Sequence, residues 1–307
     1  MRVAVIGDST LDVTVRPAEP LRAGADVPAS ITIAPGGQGA NVAIRLARAG
    51  IGARLVTAIA DDSAGGLLLA ALEAEGVPVA RLPATSSGTV VAMLDAAGER
   101  AMLSDRVTLN PATVAAACAG AEWVHCSAYS LADEATGDAL AAALGSLPAG
   151  TRISCGGGSL PPDPERAARV RDRLTTARVG VLILGREEAA SLLDAPLPSL
   201  AAATDALVRA FPATIAVVTG GAAGSAAAGP GFALSVPAQD PATPMLDATG
   251  AGDAYAAALI AALLPASWPP DVPTLRAAMQ AGSRVGGLVA RVLGAQGRIA
   301  GESGGGA

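Results

Sequence analysis

Lysine is absent from this chain of 307 residues; all 21 basic positions are arginine. That excludes a P-loop lysine, a protein-kinase lysine, Schiff-base chemistry and any cofactor tethered through an amine. One histidine, His125, ends the apolar run Ala121-Glu-Trp-Val-His125 and reads as a structural residue. No Gly-x-Ser-x-Gly elbow accompanies it, so a Ser-His-Asp triad is not supported. The three cysteines, Cys118, Cys126 and Cys155, are odd in number and widely spaced, as expected of small buried residues in a reducing cytoplasm rather than a disulfide framework or zinc site. Aromatics are scarce, with two each of Trp, Tyr and Phe. No basic run offsets the net charge of −6, which argues against nucleic acid or an anionic membrane as partner. The longest apolar run, 254–264, stops at Pro265, well short of the ~20 residues of a membrane span. Residues 1–6 run straight into Gly7-Asp8 without a secretory leader, so a cytoplasmic location is expected. The chemistry left open uses carboxylates, hydroxyls, backbone amides, arginine or a hard metal.

What is present is an alternation. Short apolar runs at 2–6, 54–59, 123–126, 152–154, 179–184 and 215–219 read as buried strands. Between them lie Ala/Leu-rich helical patterns at 42–49, 64–75, 133–145, 164–175, 187–193 and 200–210, with further helices at 251–264 and 273–293. This βαβ rhythm predicts an α/β fold with a mostly parallel sheet covered by helices on both faces. Four strand-like runs at 11–16, 29–34, 89–94 and 100–104 have no helices to cover them. The last two are joined in hairpin fashion by Asp95-Ala-Ala-Gly98. They predict a small separate β-sheet built from two insertions, about 11–34 and 88–105, within one domain spanning 1–307. The alternative places them at the edge of the main sheet. The tail 301–307 reads as a flexible end.

Two motifs carry chemistry. In Asp247-Ala-Thr-Gly-Ala-Gly-Asp253, small residues stand where a loop enters the helical run 254–264. The backbone N–H groups of Gly250, Ala251 and Gly252 can then point at one anion, aided by the helix macrodipole. Asp253 falls in the first turn, where a carboxylate can take a proton from a hydroxyl in line with a bound phosphoryl group. The plainer alternative is an Asp that merely caps a helix. The second motif, Pro35-Gly-Gly-Gln-Gly-Ala-Asn41, lets the backbone at Gly36 and Gly37 approach a ligand closely. Asn41 offers both donor and acceptor to hydroxyls. By itself it could equally be a turn with an Asn cap.

In this order the two motifs resemble the paired signatures of the ribokinase-like (PfkB) carbohydrate kinases. Supporting segments run along nearly the whole chain: Gly7-Asp8 with Asp12, Asp61-Asp62 through Gly76, Ser104-Asp-Arg106 through Asn110, Val218-Thr-Gly-Gly221 with Gly224, and Gly294-Ala-Gln296. The resemblance implies a three-layer α/β/α core with a β-sheet lid, and transfer of the ATP γ-phosphoryl group to a primary hydroxyl with Mg²⁺. Asp253 becomes the base, Gly250–Gly252 the anion hole, and Asp12, Gly36, Gly37 and Asn41 the substrate contacts. Thr219, Gly221, Gly224 and Ser283 become nucleotide contacts. Glu188 would handle magnesium through water, while Asp247 and Thr249 fit a monovalent-cation position for K⁺. Paired lids are one way such proteins form homodimers.

Two departures stand out. The family's Asn-x-x-Glu motif appears as Gly185-Arg-Glu-Glu188, so one polar partner near the magnesium is missing. Arg298 stands where a small hydroxyl residue is common beside the cation position, and its fixed charge could replace the ion. Few arginines cluster near the expected substrate pocket, Arg106 being the main exception, which favours a neutral sugar over a sugar phosphate. A nucleoside kinase is the alternative within the family. A sugar-sensing regulator without turnover is the alternative outside the enzymes, kept open by Gly185.

Overall fold

Fully apolar strands of four to six residues bury both faces, so they need helices above and below. The structure, a computed structural model, describes residues 1–94, 100–158, 163–239 and 244–302. The predicted hairpin turn at 95–98 and most of the 301–307 tail lie outside the described residues. The chain runs β1 (Val3–Ile6), β2 (Thr10–Pro17), β3 (Ala29–Gly36), α1 (Gln38–Arg48), β4 (Ala53–Ala58), α2 (Ser63–Ala74), β5 (Val79–Leu82), β6 (Gly88–Leu94) and β7 (Arg100–Asp105). It continues through α3 (Val114–Ala117), β8 (Trp123–Ser127), α4 (Ala128–Ala132), α5 (Gly137–Gly145), β9 (Arg152–Gly156), α6 (Pro164–Thr176), β10 (Val181–Gly185), α7 (Arg186–Leu193) and α8 (Leu200–Ala210). Last come β11 (Ile215–Thr219), β12 (Ser225–Gly229), β13 (Phe232–Val236), α9 (Ala251–Leu263) and α10 (Val272–Val289).

Nine strands form one sheet in the order β13-β12-β11-β10-β9-β8-β1-β4-β5. It is parallel except at β12 and β13, which pair antiparallel at one edge. Its two faces carry separate apolar cores: α1, α2, α9 and α10 on one side, α3 to α8 on the other. A second sheet, β3-β2-β6-β7, holds the four uncovered strands, with β2 and β6 parallel at its centre. No helix among the described residues is long and apolar enough to cross a membrane.

Two local expectations need correction. The helix expected at 133–145 begins only at Gly137, because Asp133 Oδ1 accepts from the backbone N–H groups of Ala135 and Thr136 and from the Thr136 hydroxyl, holding 133–136 as a turn between α4 and α5. Helix α1 begins at Gln38 rather than 42, since Asp8 Oδ1 on a neighbouring loop caps the Gln38 N–H at 2.9 Å. Asn41 is therefore a first-turn helical residue and not a cap. Strand β12, Ser-Ala-Ala-Ala-Gly, has little intrinsic strand preference and is held there by ladders on both sides.

Candidate active site

The parallel strands deliver their C-terminal ends, with the N-termini of α1, α7 and α9, to one region. Gly250 opens α9 at φ 77°, a left-handed conformation, and a Cβ there would lie 2.6 Å from that of Ala295. Asp253 follows in the first turn. Its Oδ2 accepts from Asn41 Nδ2 at 2.8 Å, and Gln296 Nε2 donates to Asn41 Oδ1 at 3.1 Å. Asp253 Oδ1 has no hydrogen-bond partner among the described residues. The Asp253 side chain is half-buried and lines a cavity. Burial, with the nearby Glu188 charge, pushes its pKa up to about 7 against the opposing influence of Asn41 and Arg45.

That cavity, about 320 Å³, is lined by Asp12, Gly37 and Asn41 on one side and by Thr249, Gly250, Gly252 and Asp253 on another. Asp12 receives the Thr10 hydroxyl at 2.7 Å, and its burial raises its pKa. Gly36 does not line the cavity. It lies beneath Asp12, where a Cβ would come within 2.1 Å of the carboxylate. Gly37, at φ 93°, would drive a Cβ into the Asp8 carbonyl at 2.6 Å. Arg106 also lines the cavity, but its guanidinium is paired with Asp8 and stacked 4.0 Å over the Tyr129 ring.

A second cavity, about 520 Å³, meets the first at Thr219 and Gly252. Gly221, Gly224, Ala251 and Ser283 line it, beside Gly286 and Gly287 of α10. A third, about 1020 Å³, extends from Thr219 and Gly221 along Gly185, Arg186 and Glu188. Both Glu188 oxygens are engaged, accepting from Gly185 N–H at 2.7 Å and Gly158 N–H at 3.1 Å, and burial raises its pKa. No group of three or more His, Cys, Asp or Glu side chains suited to a metal occurs among the described residues. Asp247 lines none of these cavities; it binds the Thr249 N–H and hydroxyl through Oδ1 and the Gly294 N–H through Oδ2. Two joined cavities with a helix N-terminus at the junction and a carboxylate one residue on suit transfer of an anionic group between two ligands.

The family model for pfkB carbohydrate kinases matches residues 1–300. The chain belongs to the pfkB family of carbohydrate kinases. A fructokinase of Klebsiella pneumoniae is 30% identical over 273 residues, covering 85% of this chain and 87% of that one. Among solved structures, a ribokinase from Cryptococcus neoformans in complex with ADP superposes with a TM-score of 0.77 at 22% identity, covering 96% of this chain and 95% of that one. The adenosine kinase of Sinorhizobium meliloti gives 0.78 at 21%, covering 97% and 96%. This pfkB kinase is accordingly a phosphotransferase with an alcohol acceptor, and ATP is the donor that kinases of its family use.

The kinase fold brings together Asp12, Gly37, Asn41, Thr249 and Asp253 around one cavity, and Thr219, Gly221, Gly224, Ala251 and Ser283 around the next. Arg298 corrects the sequence reading: its guanidinium bonds Glu75 at 3.1 Å and is not free to replace a cation beside Asp247. His125 is buried, bonded to Ser154, with burial lowering its pKa to about 4, as suits a neutral structural ring. Cys126 and Cys155 face each other across β8 and β9, but burial raises both thiols' pKa values and keeps them inert. Sequence reasoning missed Arg45 and Arg48, buried on α1. They donate to the carbonyls of Ala295, Gln296 and Gly297 and pair with Glu302 and Glu75. The only sequence signal was two arginines three apart on a helix whose other neighbours are apolar.

Proposed function

We propose that this pfkB kinase transfers the ATP γ-phosphoryl group to a primary hydroxyl of an uncharged sugar, with Asp253 as base. The observation that carries this reading is the open Oδ1 of Asp253 in the first cavity, one residue from Gly252 where the two cavities meet. The acceptor occupies the 320 Å³ cavity under the small sheet, which acts as its lid, with hydroxyls on Asp12 and Asn41. ATP lies along Thr219, Gly221, Gly224 and Ser283. As the sugar oxygen bonds to the γ-phosphorus, the bond from that phosphorus to the β-phosphate oxygen breaks and ADP leaves. The hydroxyl proton passes to Asp253 Oδ1. The N–H groups of Gly250 and Gly252 stabilise the charge on the moving phosphoryl oxygens, joined by that of Ala251, which without ligand donates to the Ala248 carbonyl at 3.1 Å.

Magnesium, when bound, neutralises phosphate charge. Glu188 with both oxygens already engaged offers no chelating pair, which fits a role in ordering the metal's waters while ATP supplies the direct ligands. Asp247 and Thr249 are the candidates for a monovalent cation. Their turn is already tied to Gly294 by the chain's own hydrogen bonds, so replacing sodium by potassium is expected to change the rate little.

An uncharged acceptor is favoured because Arg106, the cation of the acceptor cavity, is already neutralised by Asp8. The 30% identical fructokinase supports a ketohexose as the first sugar to try. The test is ADP release across pentoses, hexoses, sugar phosphates and nucleosides. Turnover with a free sugar far above that with sugar phosphates or nucleosides is expected. A preference for nucleosides would shift the reading to the nucleoside branch, and sugar binding without ADP release would make the protein a sensor.

A further inference from the structure

The acid-base group of this site is held by an unusually indirect device. Asp253 Oδ2 takes its hydrogen bond from a neutral amide, Asn41, and that amide could present either its NH₂ or its oxygen. Facing its oxygen toward the carboxylate would leave two acceptors opposed. Which way Asn41 faces is decided by its other neighbour, Gln296, whose Nε2 donates to Asn41 Oδ1. Gln296 is in turn fixed by its own loop: Arg45 donates to the Ala295 and Gly297 carbonyls and Arg48 to that of Gln296. These bonds fix the backbone of the loop and so hold Gln296 beside Asn41, with its Nε2 on the Asn41 oxygen. The three groups come from α9, α1 and the turn after α10, and they run in one direction from donor to acceptor.

We propose that Gln296 is a positioning residue for the phosphoryl transfer: its amide fixes the orientation of Asn41, which favours the ionised carboxylate of Asp253 and leaves Oδ1 without a protein partner. The role in catalysis rests on Asp253 being the base, while the orientation itself does not. Other charged groups face Asp253 as well: Arg45 on α1, Glu188 on α7, and across the cavity Asp12 on β2 and Arg106 after β7. None of them can set the direction of the Asn41 amide, because none bonds to it.

Gln296→Glu supplies the decisive change, since a carboxylate at that position accepts where the amide donates. Asn41 must then turn its NH₂ toward position 296 and its oxygen toward Asp253, which holds that face only when protonated. The readout is the carboxyl ¹³C titration of Asp253 in the ligand-free protein, assigned by its disappearance in Asp253→Asn. A rise of about one pH unit or more is expected in Gln296→Glu, and a smaller rise in Gln296→Met, which removes the donor without adding charge. A purely through-space effect of the new charge is separated by repeating Gln296→Glu in an Asn41→Ala background, where the shift should nearly vanish. In the active enzyme, the acid limb of kcat/KM should move with the titration, and raising the pH should recover much of the lost rate. An unshifted Asp253 titration in Gln296→Glu, or the same shift with Asn41 removed, would overturn the proposal. A shifted titration in a protein that phosphorylates no sugar would instead leave the amide relay standing and remove the kinase reading.

Discussion

Asp253 combines two properties that pull against each other. It lines a cavity, where burial favours the neutral acid, yet a base must be ionised to accept a proton. Its pKa of about 7 is raised above the usual carboxylate value, so the folded state binds a proton that the unfolded chain has lost. Stability contributed by that proton is present below about pH 4 and is lost as pH rises through about 7. Asp253→Asn should therefore raise the melting temperature at pH 8 and change it little at pH 4, when both are measured without ligands. The same substitution should lower turnover at least ~10²–10⁴-fold while ATP binding persists. Near-normal turnover would remove Asp253 from the mechanism. At Glu188 the expectation differs. Glu188→Gln should raise the magnesium concentration needed for half-maximal rate more than it alters the KM for sugar, because the role proposed for its charge is toward the metal's waters rather than the sugar hydroxyls. An unchanged magnesium titration would leave Glu188 only its bonds to Gly185 and Gly158.

Among the elements, the small sheet is the least supported by the rest of the molecule. All but the last two residues of β3 are exposed, including Ile31 and Ile33 at 60% each, and Leu103 on the opposite edge strand β7 is 61% exposed. Edge strands with large apolar side chains invite a partner. We expect a second copy to cover them lid to lid, placing each acceptor cavity beside a neighbouring molecule. Sedimentation should give a dimer whose dissociation is promoted by Ile33→Lys, with the Asp253 site otherwise intact. A wild-type monomer at every concentration would discard this arrangement. By contrast, α9 and α10 are locked together. A Cβ at Gly286 would lie 2.9 Å from the Ala251 carbonyl, and one at Gly282 would lie 3.1 Å from the Tyr255 ring. The helix bearing Asp253 is thus braced by a partner too close to allow it to slide.

For the molecule as a whole, the buried arginines on α1 join distant parts of the chain. Arg45 and Arg48 are 4% and 6% exposed and meet Glu75 at the end of α2 and Glu302 near the C-terminus. Removing one partner from such a cluster leaves buried charge uncompensated, so Glu302→Ala should cost on the order of 3–5 kcal/mol in chemical denaturation. A loss within experimental error would mean that the loop carbonyls and Glu75 satisfy both guanidiniums without Glu302. The sequence made the sheet legible because strands such as Val3–Ile6 and Val181–Gly185 are apolar on both faces, and it marked the loop entering α9 because glycines cluster before a helix. It could not reveal β12, whose alanines prefer no strand. Nor could it reveal the Gln296–Asn41–Asp253 line, because its members lie 212 and 255 positions apart and neutral amides carry no pattern of their own.

The clasp between α1 and the C-terminal turn also sets an order of events during synthesis. Arg45 emerges from the ribosome early and waits for Glu302, 257 positions later. At roughly 5–20 residues per second that is an interval of many seconds. Throughout it the nascent chain already carries α1 and its Asn41, yet lacks the turn that steers the amide and the acid that neutralises the guanidiniums. A chain arrested before residue 294 would carry Asn41 and Asp253 but not Gln296, so the hydrogen-bonded line through Asp253 would lack its third member.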